Sequence, residues 1–191
     1  LNFCTLELSS FYFDIRKDVL YCDDLNSKKR KDCIVVLNII LECLLKWLAP
    51  VFVFTTEEIF NLINKNENSI HETIFPEIPE RWKNDLLIEK WKELYQIKQD
   101  VNIAIEEKRT NKEIGSSLEA NVLINVNDKE FKLLEGIDLE EYFIASKVEK
   151  TKNKNDEKLN TKVTKAIGIK CTLCWKILDQ KCERRCCGIK Q

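Results

Sequence analysis

The chain has no methionine and a single histidine among its 191 residues, and polar side chains interrupt its longest apolar run. The chain begins with Leu1, and residues 1–21 already carry a helical pattern, so nothing marks a natural start. We therefore interpret the chain as the C-terminal part of a longer protein. The only histidine, His71, lies in a polar loop and is interpreted as a solvated residue, which removes histidine from the candidate catalytic groups.

The longest apolar run, Ile34–Phe54, has the length of a membrane-spanning helix. Asn38, Glu42 and Lys46 recur in it every four residues, so they share one helix face on which Glu42 and Lys46 can form an ion pair. That face is polar, and Pro50 ends the segment. The pattern favours a bundle helix over a membrane span. Because no signal peptide precedes it, we expect a cytoplasmic protein with no membrane partner.

Apolar residues at spacings of three and four predict four helices joined by polar connections, as in an up-and-down bundle. The predicted helices cover residues 1–22, 28–48, 55–63 and 87–109. Ser27 is placed to cap the second helix, and Thr55 with Glu58 forms a capping box that starts the third. The buried face predicted for the second helix consists of Cys33, Val36, Leu37, Ile40, Leu41, Leu44, Leu45 and Leu48. Trp47 and Trp91 also lie among apolar residues and are predicted to be core residues.

Beyond the fourth helix the hydrophobic period changes from nearly four to two, which indicates strands. Residues 121–127 alternate, with Val122, Ile124 and Val126 on one face. The stretches "EYFIASKVE" and "KAIGIK" are predicted to be two further strands, and residues 130–135 a short helix. The fold class is therefore mainly α, a helical bundle followed by a small α+β unit.

The cysteines fall into two groups. Those in the helical part are interpreted as core thiols: Cys4, Cys22, Cys33 and Cys43. The others lie together in "KCTLCWKILDQKCERRCC", where Cys171 and Cys174, with two residues between them, would form half of a tetrahedral zinc site. Cys182 with Cys186, or with Cys187 as the alternative fourth ligand, would supply the other half. We predict one zinc ion per chain; partial folding of the tail without metal and a redox role are the alternatives.

Charge is distributed unevenly along the chain. Residues 1–146 carry a balance of −9 and residues 147–191 a balance of +8, although the whole chain is at −1. A basic tail suits contact with a polyanion, because neutralised phosphates release counterions. For residues 147–165 alone, however, we favour a solvated, disordered linker. Neighbouring lysines and arginines are also expected to lower the pKa values of the clustered thiols.

Four stretches resemble bacterial isoleucyl-tRNA synthetases, which are class I aminoacyl-tRNA synthetases. They are "LELSSFYFDIRKDVLYCD", "LLKWLAPVFVFTTEEIF", "EEKRTNKEIGSSLEANV" and "KCTLCW", they occur in the family's order, and they span nearly the whole chain. The second is shared with valyl and leucyl enzymes, whereas the third is more discriminating. The chain departs from the family pattern at Leu173, where the family has arginine, and in the spacing of "CERRCC".

The resemblance implies the tRNA-binding C-terminal part of an isoleucine-tRNA ligase, which attaches isoleucine to its tRNA with ATP. It divides the chain into an anticodon-binding bundle (1–112), an α+β unit with a basic linker (113–168) and a zinc knuckle (169–191). Because the HIGH and KMSKS motifs are absent, we expect this region alone to be inactive and ATP to bind only to the full-length enzyme. The implied partners are isoleucine tRNA and the upstream catalytic domain of the same monomeric polypeptide. The alternatives are a free-standing RNA-binding or assembly module and the same region of a valyl-type enzyme.

Anticodon recognition requires cations for phosphates and planar groups on which bases stack. Basic residues grouped near helix ends are the candidates for phosphate contacts. Trp175 is a candidate for base stacking, although we favour its packing over the zinc loop. The remaining candidates are Arg16, Lys17, Lys28, Arg30, Lys108, Arg109 and Lys112.

Overall fold

A computed structural model of the chain describes residues 2–65, 68–153 and 159–185. These residues are mainly helical with a small sheet, which confirms the predicted class. Two compact units are present: a sheet unit, formed by Leu1–Asp24 with Asp85–Gln191, and a helix-hairpin unit, Leu25–Asn84. The four long helices are therefore shared between two units. The division of the chain at residues 112 and 168 stays a prediction.

The helix-hairpin unit contains helices α2 (Lys28–Leu48) and α3 (Val53–Ile63), followed by single 3₁₀ turns at Ile70–Glu72 and Glu80–Trp82. Ser27 caps α2 as predicted, since its side chain accepts a hydrogen bond from the backbone N–H of Arg30 at 3.5 Å.

The predicted capping box of α3 is wrong. The helix begins at Val53, two residues before Thr55, and its N-cap residue, Phe52, makes no side-chain cap. The hydroxyl of Thr56 instead donates to the carbonyl of Phe52 at 2.9 Å. The side chain that stabilises the first turn therefore belongs to a residue within the helix, Thr56, and not to a residue that precedes it.

Burial in α2 follows the predicted face only in part. Cys33 and Leu45 are buried, as is Cys43, which the predicted face did not include. Val36 and Leu48 are exposed, and so is Trp47 at 46%, which corrects its prediction as a core residue. The small core of this unit consists of Leu45, Ala49, Phe60 and Ile70.

The sheet unit begins with a π-helical segment, Phe3–Phe13, that continues as α1 (Asp14–Cys22). Helix α4 (Asp85–Thr110) matches its prediction closely and buries an apolar face that includes Leu94, Val101 and Ile105. Trp91, however, is 38% exposed and makes edge-on contacts with Phe11 and Tyr142 at the rim of the core, which corrects the core prediction.

The sheet has the strand order β2-β1-β3. Strand β1 (Ala120–Val126) pairs in parallel with β2 (Lys147–Lys152) and antiparallel with β3 (Asn160–Lys165). Helices α5 (Asp128–Leu133) and α6 (Leu139–Tyr142) form the crossover between the parallel strands. The predicted face of Val122, Ile124 and Val126 is confirmed, since all three residues are fully buried.

Two predictions in this region are wrong. "EYFIASKVE" is not one strand, because Asp138 caps α6 by accepting from the N–H of Glu141, and β2 begins only at Lys147. Residues 147–165 are also not a disordered linker over their described part, because β2 and β3 pair with β1. Their alternation explains the error: the exposed positions of both strands are mostly lysine and threonine, and the inward positions of Val148 and Val163 are shared with Lys150 and Thr161.

Among the helical cysteines, Cys22, Cys33 and Cys43 are buried thiols as predicted, whereas Cys4 is exposed and its prediction is wrong. Among the helices that the structure describes, none combines the length and the apolar character that a membrane span requires.

Candidate metal and nucleic-acid site

A short antiparallel hairpin presents the first cysteine pair. Strands β4 (Ile169–Lys170) and β5 (Ile177–Leu178) pair with each other, and Cys171 and Cys174 lie in the turn between them. The N–H of Cys171 donates to the carbonyl of Lys176 at 2.9 Å, and the N–H of Trp175 donates to the carbonyl of Cys171 at 3.0 Å. Trp175 has a φ of 64°, which completes the tight turn.

Three thiols converge at this knuckle. The Sγ atoms of Cys171, Cys174 and Cys182 all lie within 4.8 Å of one another, and those of Cys174 and Cys182 are 3.9 Å apart. A tetrahedral zinc ion with Zn–S bonds of about 2.3 Å separates its thiolates by about 3.8 Å. The three cysteines thus fit a metal ion, as the sequence predicted for them. Cys186 and Cys187, the predicted sources of the fourth ligand, lie outside the described residues.

The protonation of the buried thiol differs from the prediction. The pKa of Cys174 is raised to about 11, chiefly by burial; the N–H of Lys176 acts to lower this pKa, and the neighbouring thiols of Cys171 and Cys182 act to raise it. The nearby basic side chains of Lys176 and Arg184 both contact Asp18. Because the pKa of Cys174 is raised, a metal ion must displace a proton from this thiol on binding.

The segment after Cys182 is attached to the end of helix α1. Arg184 forms ion pairs with Asp18 at 2.8 Å and Asp23 at 2.9 Å. Burial acts to lower the pKa of Arg184, but the hydrogen bonds and charges of Asp23 and Asp18 raise it above its usual value. Arg185 donates to the main-chain carbonyls of Tyr21 and Asp23, each at 2.8 Å. Spacing along the sequence gave no signal for these contacts.

Beside the knuckle lies an open cavity of about 560 Å³, lined by Gly115, Ser116, Glu119, Lys170, Thr172 and Trp175. Within the lining of this cavity, the carboxylate of Glu119 accepts a hydrogen bond from the N–H of Gly115 at 3.0 Å and forms an ion pair with Lys170 at 2.6 Å. The ion pair with Lys170 and the hydrogen bond from Gly115 lower the pKa of Glu119. The cavity therefore joins the "GSSLEA" segment to the knuckle.

The predicted basic group at the end of α4 is brought together. A second open cavity, of about 420 Å³, is lined by Glu106, Arg109, Thr110, Lys112, Ile114 and Gly115, so Gly115 borders both cavities. Lys108 contacts both oxygens of Glu113 at 2.9 Å, and Arg109 pairs with Glu106 at 2.5 Å. Lys112 is exposed and has a φ of 59°. Two of these cations thus already have carboxylate partners.

The other predicted contacts are dispersed. Arg16 pairs with the buried Glu141 at 2.9 Å, and Lys17 pairs with Asp14 on the same helix. Lys28 and Arg30 belong to the helix-hairpin unit, at the start of α2. Trp175 is 59% exposed, so packing over the zinc loop is wrong for most of its ring. Its role in stacking stays a prediction.

Comparison with known proteins identifies the class. Residues 1–124 match the family model described as the anticodon-binding domain of tRNA ligase. The chain belongs to this family, which confirms the predicted resemblance.

The names of the similar proteins are more specific than the description of the family. The chain is 54% identical over 184 residues to the isoleucine--tRNA ligase of Pelagibacter ubique, an alignment covering 96% of this chain and 20% of that protein. It is 44% identical over 147 residues to that of Mesorhizobium japonicum, covering 76% and 15%. With the Agrobacterium fabrum protein it shares 38% identity over 187 residues, covering 93% and 19%. The chain thus spans about a fifth of the length of these relatives.

Proposed function

We propose that this chain is the tRNA-binding C-terminal part of an isoleucine-tRNA ligase, which joins isoleucine to its tRNA with ATP. The observation that carries the proposal is the family match combined with relatives of one name aligned over as much as 96% of the chain. The catalytic and editing domains belong to the rest of the polypeptide. This part alone is expected to bind tRNA without forming aminoacyl-adenylate.

The proposal extends to partners and place of action. The proposed division of the chain is an anticodon-binding part (residues 1–112), an α+β unit with a basic linker (113–168) and a zinc knuckle (169–191). The proposed partners are isoleucine tRNA and the catalytic domain of the full-length polypeptide. The full-length enzyme is proposed to be monomeric and cytoplasmic. The convergent thiols support a resident zinc ion held by Cys171, Cys174 and Cys182, with Cys186 or Cys187 as the fourth ligand.

The surface proposed to bind tRNA comprises the two cavities that Gly115 borders. It combines the cations at the end of α4 with the exposed indole of Trp175. Lysine and arginine hold phosphates, and an exposed aromatic face stacks on an unpaired base. Because Lys108 and Arg109 are paired with carboxylates, Lys112 is the cation at this end of α4 that we expect to reach phosphate most directly.

The test is the binding of isoleucine tRNA by the chain, measured by fluorescence anisotropy over a series of salt concentrations. Affinity should fall steeply with salt, and Lys112→Gln should reduce the log–log slope by about 1. Lys92→Gln, which removes an exposed cation from the other half of α4, is the matched control. A slope near zero would exclude phosphate contact.

A second measurement tests the amino-acid identity. Full-length protein should charge isoleucine tRNA with isoleucine, whereas preferential charging of valine tRNA would favour a valyl-type enzyme. Failure of the full-length protein to charge any tRNA while this chain still binds RNA would favour the free-standing module.

A further inference from the structure

The two halves of the cysteine cluster are supported differently. Cys171 and Cys174 are held by the β4–β5 hairpin and its turn hydrogen bonds. Cys182 follows β5 in a segment, residues 179–183, that belongs to no helix or strand. Within the described residues, the hairpin therefore fixes only two of the three thiols, and the third depends on contacts made by its flanking residues.

Those contacts come from the far end of the sequence. Arg184 and Asp18 are 166 residues apart along the chain, yet they are joined by an ion pair in which both side chains are about three-quarters buried. The same guanidinium contacts Asp23, and Arg185 donates to carbonyls in the last turn of α1. Guanidinium groups are suited to such multiple contacts because their donors have a fixed planar geometry.

Asp18 also joins the two halves of the cluster. Its carboxylate forms ion pairs with Arg184, which lies two residues after Cys182, and with Lys176, which lies two residues after Cys174. One carboxylate on α1 thus contacts cations from both ligand-bearing segments, and it limits how far the segments can separate.

We propose that Arg184 and Arg185, acting with Asp18, are positioning residues that hold Cys182 in place for the metal ion. The proposal rests on the zinc site in the proposed function. Helix α1 becomes part of the support of a site to which it contributes no ligand, and the arginines of "CERRCC" serve the metal site rather than tRNA phosphates. Mutation of groups that orient metal ligands commonly weakens metal affinity by about 10- to 100-fold.

The test measures zinc affinity of the whole chain by competition with a chromophoric chelator. Arg184→Gln and Asp18→Asn should each weaken zinc binding at least about tenfold. Two matched controls should stay within about twofold of wild type. Lys181→Gln removes one positive charge beside Cys182 but leaves the arginine contacts, and Asp14→Asn removes a carboxylate of α1 that pairs with Lys17. Circular dichroism verifies that each variant is folded.

A second readout separates positioning from a general loss of stability. Because binding coupling is reciprocal, removal of zinc by a chelator should speed amide hydrogen exchange in the last turn of α1. Exchange in the buried strand β1 should not change. Arg184→Gln should abolish this response to the chelator.

The outcomes distinguish this inference from the metal site itself. Equal zinc affinities for wild type, Arg184→Gln and Asp18→Asn would overturn the inference alone, as would an α1 that does not respond to zinc. A wild-type chain that takes up no zinc would overturn both the metal site and the inference.

Discussion

The two units of the chain bury their apolar side chains to very different extents. In the sheet unit, Leu94, Val101, Val122 and Ile124 are completely inaccessible to solvent. The residues with the lowest exposure in the helix-hairpin unit are Ile70 at 2%, and Cys33 and Thr56 at 4% each. The same unit exposes large side chains such as Phe54 at 89%. Both units contain amphipathic helices, so the difference comes from what covers their apolar faces.

A sheet explains this difference. Strand β1 turns every second residue toward α4, and the neighbouring strands close its edges, so one helix face is covered by a continuous surface. In the helix-hairpin unit, the small core joins α2 to α3 and a 3₁₀ turn, and many apolar side chains of both helices are exposed. We therefore expect the sheet unit to be the more stable of the two.

The largest expected effect is truncation of the central strand. Ile124→Ala should lower the free energy of unfolding of the sheet unit by about 4 kcal/mol, because it leaves a cavity in a fully buried site. Leu45→Ala in the helix-hairpin unit should cost about 2 kcal/mol, since its smaller core can relax more easily. Hydrogen exchange resolved by peptide during denaturant titration measures both.

The adjacent residue Leu123 provides the control. It lies on the opposite face of β1 and is partly exposed, so Leu123→Ala should cost less than about 1 kcal/mol. Equal losses for Ile124→Ala and Leu45→Ala would show that the two cores are equivalent and would remove the proposed difference between the units.

Alternation in β1 could be predicted from the sequence because burial on one face imposes a period of two. The same rule missed β2 and β3, whose outward residues are mostly lysine and threonine, so that few apolar residues remained to indicate a strand. The extent of burial of Trp47 and Trp91 was also missed, because helical periodicity identifies a face but not what covers it.

At the candidate site, the sequence predicted the cluster of thiols but not the ion pairs that surround it. Cysteine spacing reports ligand geometry directly, because the turn between Cys171 and Cys174 is local. Ion pairs such as those of Arg184 with Asp18 and Asp23 join distant segments, and no short-range pattern encodes them. Basic residues predicted to bind phosphate therefore proved to be partly engaged within the chain.

The next largest effect concerns a buried cation in the sheet unit. Lys98 is 6% exposed and donates to the carbonyl of Tyr142; burial lowers its pKa to about 8, against a smaller opposing effect of Asp14. Between pH 8 and its ordinary pKa of 10.5, the unfolded chain keeps this proton while the folded chain loses it. Stability should therefore rise with pH across this interval, by about 3 kcal/mol in total.

The measurement is the free energy of unfolding of wild type relative to Lys98→Met at pH 7 and pH 10. The difference should move in favour of wild type by about 2 to 3 kcal/mol as the pH rises. Lys92→Met, on the exposed face of the same helix, should show no such change. An unchanged difference for Lys98→Met would mean that the folded chain keeps Lys98 protonated.

A smaller and more local effect is expected at the knuckle. Gly168 has a φ of +146°, and a Cβ there would lie 2.4 Å from the carbonyl oxygen of Leu178. Gly168→Ala should open the β4–β5 hairpin at a cost of about 2 kcal/mol. Gly136 also has a positive φ, but nothing lies within 4 Å of its Cβ position. Gly136→Ala should therefore cost only about 1 kcal/mol, and hydrogen exchange in residues 169–178 distinguishes the two variants.

The smallest effects compare one ion pair from each unit. In the sheet unit, Arg16 contacts Glu141, whose side chain is 9% exposed, and the Nε atom of Arg16 is buried with no partner in the described structure. In the helix-hairpin unit, Lys46 contacts Glu42, whose side chain is 59% exposed. Solvent screens the second pair but not the first, so removing a carboxylate should be costly only in the sheet unit.

Glu141→Gln should accordingly lower the free energy of unfolding by about 1.5 kcal/mol, because a partly buried guanidinium loses its charged partner. Glu42→Gln should cost no more than about 0.5 kcal/mol. Chemical denaturation at low and high salt measures both, and only the Glu42→Gln effect should disappear at high salt. Equal costs would mean that the two pairs are screened alike, and that the difference in burial between the units does not extend to their charged groups.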